Sequence, residues 1–489
     1  MKYISTRGNN QELSSAEAII KGLADDGGLF VPDAMPQVDL PFIGELQQLS
    51  YQERALRVLS LFLTDYTPEE IEGCVHRAYG NGKFDHKDIA PVNFLKDASV
   101  LELWHGPTSA FKDMALQLLP QLLSTALKKT GEQNEVLILV ATSGDTGKAA
   151  LEGFRDVEQT RIMVFYPDNG VSRIQRLQMV TQQGGNVAVT AVKGNFDDAQ
   201  SGVKAIFNDR EFNTRLHEKG FSLSSANSIN WGRLVPQIVY YFSAYADMLK
   251  EGRIKLGDKV SFIVPTGNFG DILAGYYAMS MGLPVKKLVC ASNTNNVLTD
   301  FLNTGVYDRN REFFKTISPS MDILISSNLE RLLYHITGNQ AQVAGWMKEL
   351  ADCGRYDVGA DVLAKIKEVF SADWSDDNAT KGMIKKEYDM EGYIPDPHTA
   401  VAWNALYRLK GLDNPVIVST ASPYKFNESV LTALGKSIEG KDEFQLLDEL
   451  AAINSFGIPA GLASLKAADV IHKNTVEKGD MPKSVLQFT

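Results

Sequence analysis

The sequence predicts an α/β protein built from two parallel-sheet α/β domains, preceded by a mostly helical N-terminal module. Three observations carry that expectation. Short Val/Ile/Leu runs recur from residue 136 onward, each followed by a Gly- or Asn-bearing loop and then a helical pattern, which is the rhythm of β-loop-α units. The 489 residues allow two or three domains, and 44% hydrophobic with 22% charged residues describes an ordinary globular chain. The first 95 residues show helix signals without that alternation.

In chain order, Ser14 with Glu17 forms a capping-box pattern ahead of a short helix, and Asp25-Asp26-Gly27-Gly28 is a turn before a brief strand ended by Pro32. Residues 51–63 have helical periodicity, and Thr67-Pro68-Glu69-Glu70 combines an N-cap, an N1 proline and a boxing glutamate. Strands are expected at 136–140, 162–166 and 187–192, with helices at 148–154, about 174–180 and 199–207. A second series follows: a helix over 236–249, strands at 260–264 and 288–290, and a helix over 272–279. Residues 293–392 read as helices and connections, Asp396-Pro397-His398-Thr399 opens another helix, and a last strand covers 416–418. The expected division is a module at 1–95, a smaller α/β domain at 96–250 and a larger one at 251–489, with part of 1–120 packing on the larger.

The formal net charge of −11 argues against general affinity for nucleic acid or anionic membranes. Cys74, Cys290 and Cys353 are far apart and offer no disulfide framework, and no metal-ligand spacing occurs among the histidines. No run suits a signal peptide or a membrane span. A cytoplasmic protein is expected, without metal, membrane or nucleic-acid partner.

The chemistry centres on His105-Gly106-Pro107-Thr108-Ser109-Ala110-Phe111-Lys112-Asp113-Met114. Gly106-Pro107 breaks regular structure, Thr108 and Ser109 are potential N-caps, and an amphipathic run follows. Lys112 therefore sits at a helix start beside apolar surface, where desolvation and the helix dipole both lower an amine's pKa. That makes it a candidate nucleophile, although a lone lysine is more often simply solvated. In parallel sheets ligands bind beyond the carboxyl ends of strands, and three loops lie at such positions: 143–147, 267–271 and 420–423. Gly267-Asn268-Phe269-Gly270-Asp271 can cradle a phosphate with backbone amides at a helix start. Ser143-Gly144-Asp145-Thr146 offers hydroxyls and amides suited to a carboxylate or second phosphate. Residues 142–148 fail as a nucleotide P-loop, because Thr142 stands where glycine is needed and Ala149 follows Lys148. A Schiff-base lysine, a phosphate cradle and a neutral hydroxyl, Thr420, together suit pyridoxal phosphate.

These stretches, with Met1-Lys2-Tyr3-Ile4-Ser5-Thr6-Arg7-Gly8, residues 22–32, Asn227-Ser228-Ile229-Asn230-Trp231 and Asp396-Pro397-His398-Thr399-Ala400-Val401, form an ordered set. The set resembles the threonine synthase family of fold type II pyridoxal phosphate enzymes over nearly the whole chain. The resemblance implies conversion of O-phospho-L-homoserine and water to L-threonine and phosphate. It assigns Lys112 to the cofactor and to proton transfer, Gly267, Asn268, Phe269, Gly270 and Asp271 to the cofactor phosphate, Thr420 to the pyridine nitrogen, and Asn227 or Asn230 to the ring hydroxyl. Ser143, Gly144, Asp145 and Thr146 fall to the substrate carboxylate, and Lys148, Arg173 and Arg233 are candidates for its phosphate. Asp145 replaces the asparagine of another family branch, so its contact with the ring is not carried over. Arg173, Arg176 and Ser422 depart from the family pattern and bear on substrate preference; solvated helix charges are the plainer reading of the two arginines. A related dehydratase or β-replacement enzyme and a non-catalytic pyridoxal phosphate or metabolite-binding scaffold are the alternatives. Monomer and homodimer both stay open.

Overall fold

The computed structural model describes residues 1–9, 11–142, 144–169 and 171–489. Its larger sheet has six strands in the spatial order Phe370–Trp374, Val285–Ser292, Val260–Pro265, Pro415–Ser419, Ser99–Glu102 and Val92–Phe94, parallel except for the last pair. The smaller sheet has five parallel strands in the order Asn474–Val476, Val187–Val192, Thr160–Pro167, Glu135–Ala141 and Phe221–Ser224. Central strands such as Val260–Pro265 are buried at every residue, which is why they read as unbroken apolar runs rather than alternating ones.

Sheet membership does not follow the linear order of the chain at either end. Ser99–Glu102 lies after residue 95 yet pairs with Pro415–Ser419 of the larger sheet, and Asn474–Val476 returns from the C-terminal region to the edge of the smaller one. The reason is pairing: Val100 and Leu101 are fully buried against Ile417 and Val418, and short strands gain such burial only within a sheet.

The capping boxes at Ser14/Glu17 and Thr67/Glu70 are both formed, and a third, Ser50/Glu53, opens the helix Tyr51–Leu59. That helix stops short of residue 63 because Leu61 and Phe62 tighten into bonds three residues back, to Val58 and Leu59. The N-terminal module is locked onto the body by Arg331, fully buried, whose guanidinium donates to the Phe30 carbonyl at 3.0 Å and the Ile229 carbonyl at 2.6 Å. Through the middle runs the 20-residue helix Trp231–Lys250, with Tyr240, Tyr241 and Tyr245 fully buried. It starts five residues before the start expected at Pro236, because the Asn230 side chain accepts the Gly232 N–H at 2.8 Å and caps it there. Among the described residues no helix is long and apolar enough to cross a membrane.

One titrating cluster buttresses the Lys112 segment. His105 stacks on Trp104 at 4.1 Å and lies between Asp85 Oδ1 at 2.6 Å and Glu102 Oε2 at 3.0 Å. Burial lowers its pKa, but hydrogen bonds to and charges on Asp85 and Glu102 outweigh this and push it up to about 9. A raised folded-state pKa stabilises fully below the unfolded value of 6.5, and that stability disappears as pH rises through about 9. The melting temperature of the wild type relative to His105→Gln should therefore shrink between those pH values; a constant difference would reject the ion-paired histidine.

Candidate active site

The carboxyl ends of the two sheets bring together four segments that are remote in sequence. The first is the Lys112 segment. Ser109 adopts a left-handed backbone, φ +58°, and lets 109–111 lie along 420–422 as a short antiparallel stitch. The Phe111 N–H donates to the Thr420 carbonyl at 2.8 Å, and the Ser422 N–H to the Ser109 carbonyl at 3.1 Å. Lys112 then begins a helix of only five residues, Lys112–Leu116. The expected caps are not used: Thr108 instead donates its N–H and hydroxyl to the Asp113 carboxylate, at 2.8 and 2.7 Å. Gly106 permits this loop, since a Cβ there would lie 2.5 Å from the Asp113 Cβ. Burial pushes Asp113 up to about 6.

Lys112 is mostly enclosed among charges, its side chain 11% exposed. Its Nζ donates to Ser320 Oγ at 3.2 Å and lies 3.9 Å from Asp145 Oδ2. Burial lowers its pKa to about 8; Asp145 opposes the shift, while Lys425 and Arg233 add to it. Asp145 opens the helix Asp145–Phe154 and pairs with Lys425 Nζ at 2.7 Å, a cation with no exposed surface that also donates to the Thr108 carbonyl at 2.8 Å. Burial alone would raise Asp145, but Lys425, Lys112 and Gln175 hold its carboxyl well below the usual range. Ahead of that helix, Thr142 Oγ1 accepts the Gly144 and Gly147 N–H groups at 3.1 and 3.0 Å, Thr146 is half-buried, and Ser143 lies outside the described residues.

The third segment follows strand Val260–Pro265. A Cβ on Gly267 would lie 2.6 Å from the Ser320 carbonyl oxygen, so only glycine fits. Asn268 is exposed and its carbonyl accepts both the backbone and side-chain N–H of Asn328, at 3.1 Å each. Phe269 is left-handed, φ +63°, and turns the chain into the helix Gly270–Met281, whose start has no side-chain cap. The Asp271 carboxylate is held away by Tyr240 and Tyr241 hydroxyls at 2.6 and 2.8 Å and is pushed up to about 6 by burial. The fourth segment, Thr420 to Lys425, follows strand Pro415–Ser419.

Of the remaining candidates, Arg233 is buried with its Nε unpartnered among the described residues, and NH1 donates to the Ala226 carbonyl at 2.8 Å. Asn227 is exposed in the turn before it. Three readings from sequence meet a different arrangement. Asn230 spends its side chain on Gly232 and on the Ile19 carbonyl, 2.9 Å away, so it serves the helix cap and not a ring hydroxyl. Lys148 is bound to Gln182 and lies 3.2 Å from Glu152, which neutralises it. Arg173, 61% exposed and paired with Glu443 at 3.3 Å, is a surface charge, and Arg176 is exposed as well. Sequence reading missed Ser320, Asn328 and the pairing of Lys425 with Asp145; Lys425, two residues beyond Pro423 at a strand end, was the one with a visible signal. Among the described residues no cluster of three or more His, Cys, Asp or Glu side chains could hold a metal ion.

Comparison with known proteins places the chain in a family. A family model of the threonine synthase N terminus matches residues 2–79, and one of pyridoxal-phosphate dependent enzymes matches residues 100–367. Threonine synthase-like 1 of Homo sapiens is 42% identical over 432 residues, 86% of this chain; the chain spans 58% of that relative's length. Threonine synthase of Schizosaccharomyces pombe is 40% identical over 469 residues, covering 89% of each chain. The crystal structure of PLP-bound threonine synthase from Brucella melitensis superposes with a TM-score of 0.89 at 38% identity, over 100% of this chain and 99% of that one. With residues 2–79 and 100–367 both matched, the chain belongs to the threonine synthase family of pyridoxal-phosphate dependent enzymes.

Proposed function

We propose that this chain converts O-phospho-L-homoserine and water to L-threonine and phosphate, with pyridoxal phosphate held on Lys112. The observation that carries the phosphate-bearing substrate is Arg233. It is a buried guanidinium whose pKa falls to about 10 through burial alone, with no carboxylate compensating it, yet its charge is felt at Lys112. A buried cation left unpaired is costly, and an anionic ligand is the ordinary remedy.

The residues present fit the cofactor. The Gly267 position excludes a Cβ, the Gly270–Met281 helix start is uncapped, and the mostly enclosed Lys112 amine with a buried neutral Thr420 completes the donor set. In this reading backbone amides of Gly267, Asn268, Phe269, Gly270 and Asp271 hold its phosphate, Thr420 meets the ring nitrogen, and Asn227 is left for the ring hydroxyl. When bound, pyridoxal phosphate supplies an electron sink that acidifies the substrate Cα–H. Lys112, with a pKa near 8, is close enough to neutrality to take that proton and return one farther along the chain. Asp145 is neutralised by Lys425, so it does not repel a substrate carboxylate received by Ser143, Gly144 and Thr146. Arg233 holds the substrate phosphate until it departs. The free thiols of Cys74, Cys290 and Cys353 suit a reducing, cytoplasmic setting.

The test is to supply O-phospho-L-homoserine to the cofactor-loaded protein and assay threonine, phosphate and keto acid together. Threonine and phosphate in equal amounts are expected; keto acid as the main product would transfer the function to a dehydratase, and silence to a scaffold. Arg233→Met should raise KM for the phosphorylated substrate by about 30-fold or more, the low end of truncating a buried charge partner. An unchanged KM would remove Arg233 from the phosphate site.

A further inference from the structure

Ser320 is where three parts of the site meet. Its hydroxyl accepts from Lys112 Nζ at 3.2 Å, its carbonyl oxygen is what excludes a Cβ at Gly267, and its backbone N–H donates to His398 Nε2 at 3.1 Å. It lies in a single 3-10 turn, Pro319–Met321, within a stretch from 309 to 328 that has no other helix or strand. Nothing in such a stretch fixes a side chain to a reacting amine unless outside contacts do.

His398 supplies that contact. A backbone N–H can only donate, so Nε2 of His398 must be unprotonated, and the ring proton sits on Nδ1. From Nδ1 it reaches Asp396 Oδ1 at 2.7 Å. Asp396 is fully buried, caps the helix Pro397–Arg408, and accepts the Thr399 hydroxyl and the His398 N–H as well. Phe426 packs edge-on against the ring at 4.9 Å between centroids. The imidazole is thus locked in one neutral tautomer, and its free lone pair points at one amide.

We propose that Ser320 is a further catalytic residue, the hydroxyl partner of the Lys112 amine in both of its protonation states, and that His398 with Asp396 is the positioning pair that holds it there. A hydroxyl has one donor and two acceptor sites. Against an ammonium it accepts, and against the neutral amine it rotates and donates to the nitrogen lone pair; the 3.2 Å separation of Lys112 Nζ and Ser320 Oγ suits both. No proton leaves Ser320: the proton taken from substrate is carried on Lys112 until Lys112 returns it, and only the hydroxyl turns. Asp145 and Asp113 face the same amine, as do the cations Lys425 and Arg233, but carboxylates only accept and cations only donate. Among these neighbours Ser320 alone can do both.

This rests on Lys112 being the cofactor lysine, and the experiment separates the two. Borohydride reduction followed by peptide mapping reads the Lys112 linkage without turnover. Alongside it, kcat, KM and the exchange of the substrate Cα–H in deuterated water are measured for Ser320→Ala, Ser320→Thr, His398→Leu and His398→Gln. Expected are an intact linkage in all four, kcat and exchange lowered at least about tenfold with KM within threefold in Ser320→Ala and His398→Leu, and recovery in Ser320→Thr and His398→Gln. Glutamine restores an acceptor to the Ser320 N–H, which a purely packing role would not require. Wild-type kcat and exchange in Ser320→Ala with the linkage intact would overturn the inference, as would His398→Gln behaving like His398→Leu. No label on Lys112 in the wild type would overturn the reading beneath it. If either leucine or alanine variant fails to fold, Ser320→Cys, of nearly the same shape and a much weaker hydrogen-bonding group, must lose rate in the same way.

Discussion

Lys112→Ala loses covalent retention of the cofactor and lowers turnover at least about 10³-fold, because no other amine can replace both its nucleophilic and its proton-moving role. Lys425, the nearest rival named by charge, is fixed between Asp145 and the Thr108 carbonyl. The loss is one of chemistry and not of folding. A lysine whose folded pKa is lowered from 10.5 to about 8 binds fewer protons folded than unfolded between those values. The cofactor-free wild type therefore gains stability as pH rises through that window, and below it Lys112 is a burden that alanine removes. Denaturation at pH 7 should find Lys112→Ala at least as stable as the wild type, and the pH-dependent gain should be absent from the variant. Full activity in the variant, or retained cofactor after reduction and gel filtration, would reject the assignment.

What could be read from sequence at this site was what lies within one motif. Lys112 after Gly106-Pro107, the Gly267–Gly270 loop and Thr420 each follow or adjoin a strand end, where local rules place ligands. The residues that regulate them come from elsewhere. Ser320 arrives from a 20-residue irregular stretch held by Asn293, Asn295 and Asp322, whose polar knot has no local periodicity to announce it. Asn230 was ambiguous for a physical reason: an asparagine just before a helix is as good a cap as a ligand, and only the Gly232 and Ile19 bonds decide. The strands at 136–140, 162–166, 187–192, 260–264, 288–290 and 416–418 were legible as apolar runs because they are largely buried on both faces. Ser99–Glu102, Phe221–Ser224, Phe370–Trp374 and Asn474–Val476 were not read as strands, the third lying where only helices and connections were expected. Each is three to five residues long with polar members, and the first and last pair across more than 280 residues of sequence.

The second large effect is expected at Lys425→Met. Its side chain has no exposed surface, and removing its charge leaves the buried Asp145 carboxylate with Gln175 at 3.0 Å and Lys112 at 3.9 Å as partners. Breaking a buried pair from one side costs about 3–5 kcal/mol, which urea denaturation would read as a lowered midpoint. Lys112 feels the change as well. Lys425 lowers its pKa, so without that repulsion, and with Asp145 no longer neutralised, the amine rises above about 8 and is less often neutral at pH 7. The rate at which cofactor-free protein reacts with pyridoxal phosphate should then rise with pH along a curve displaced upward from that of the wild type. Adding Asp145→Asn removes both charges: stability should largely return, and the Lys112 curve should fall below the wild-type position, since Asp145 raises the amine more than Asp113 does and more than Lys425 lowers it. Should Lys425→Met keep the wild-type midpoint and curve, the pair would be a bystander; a double variant no more stable than the single one would place the loss in packing and not in charge.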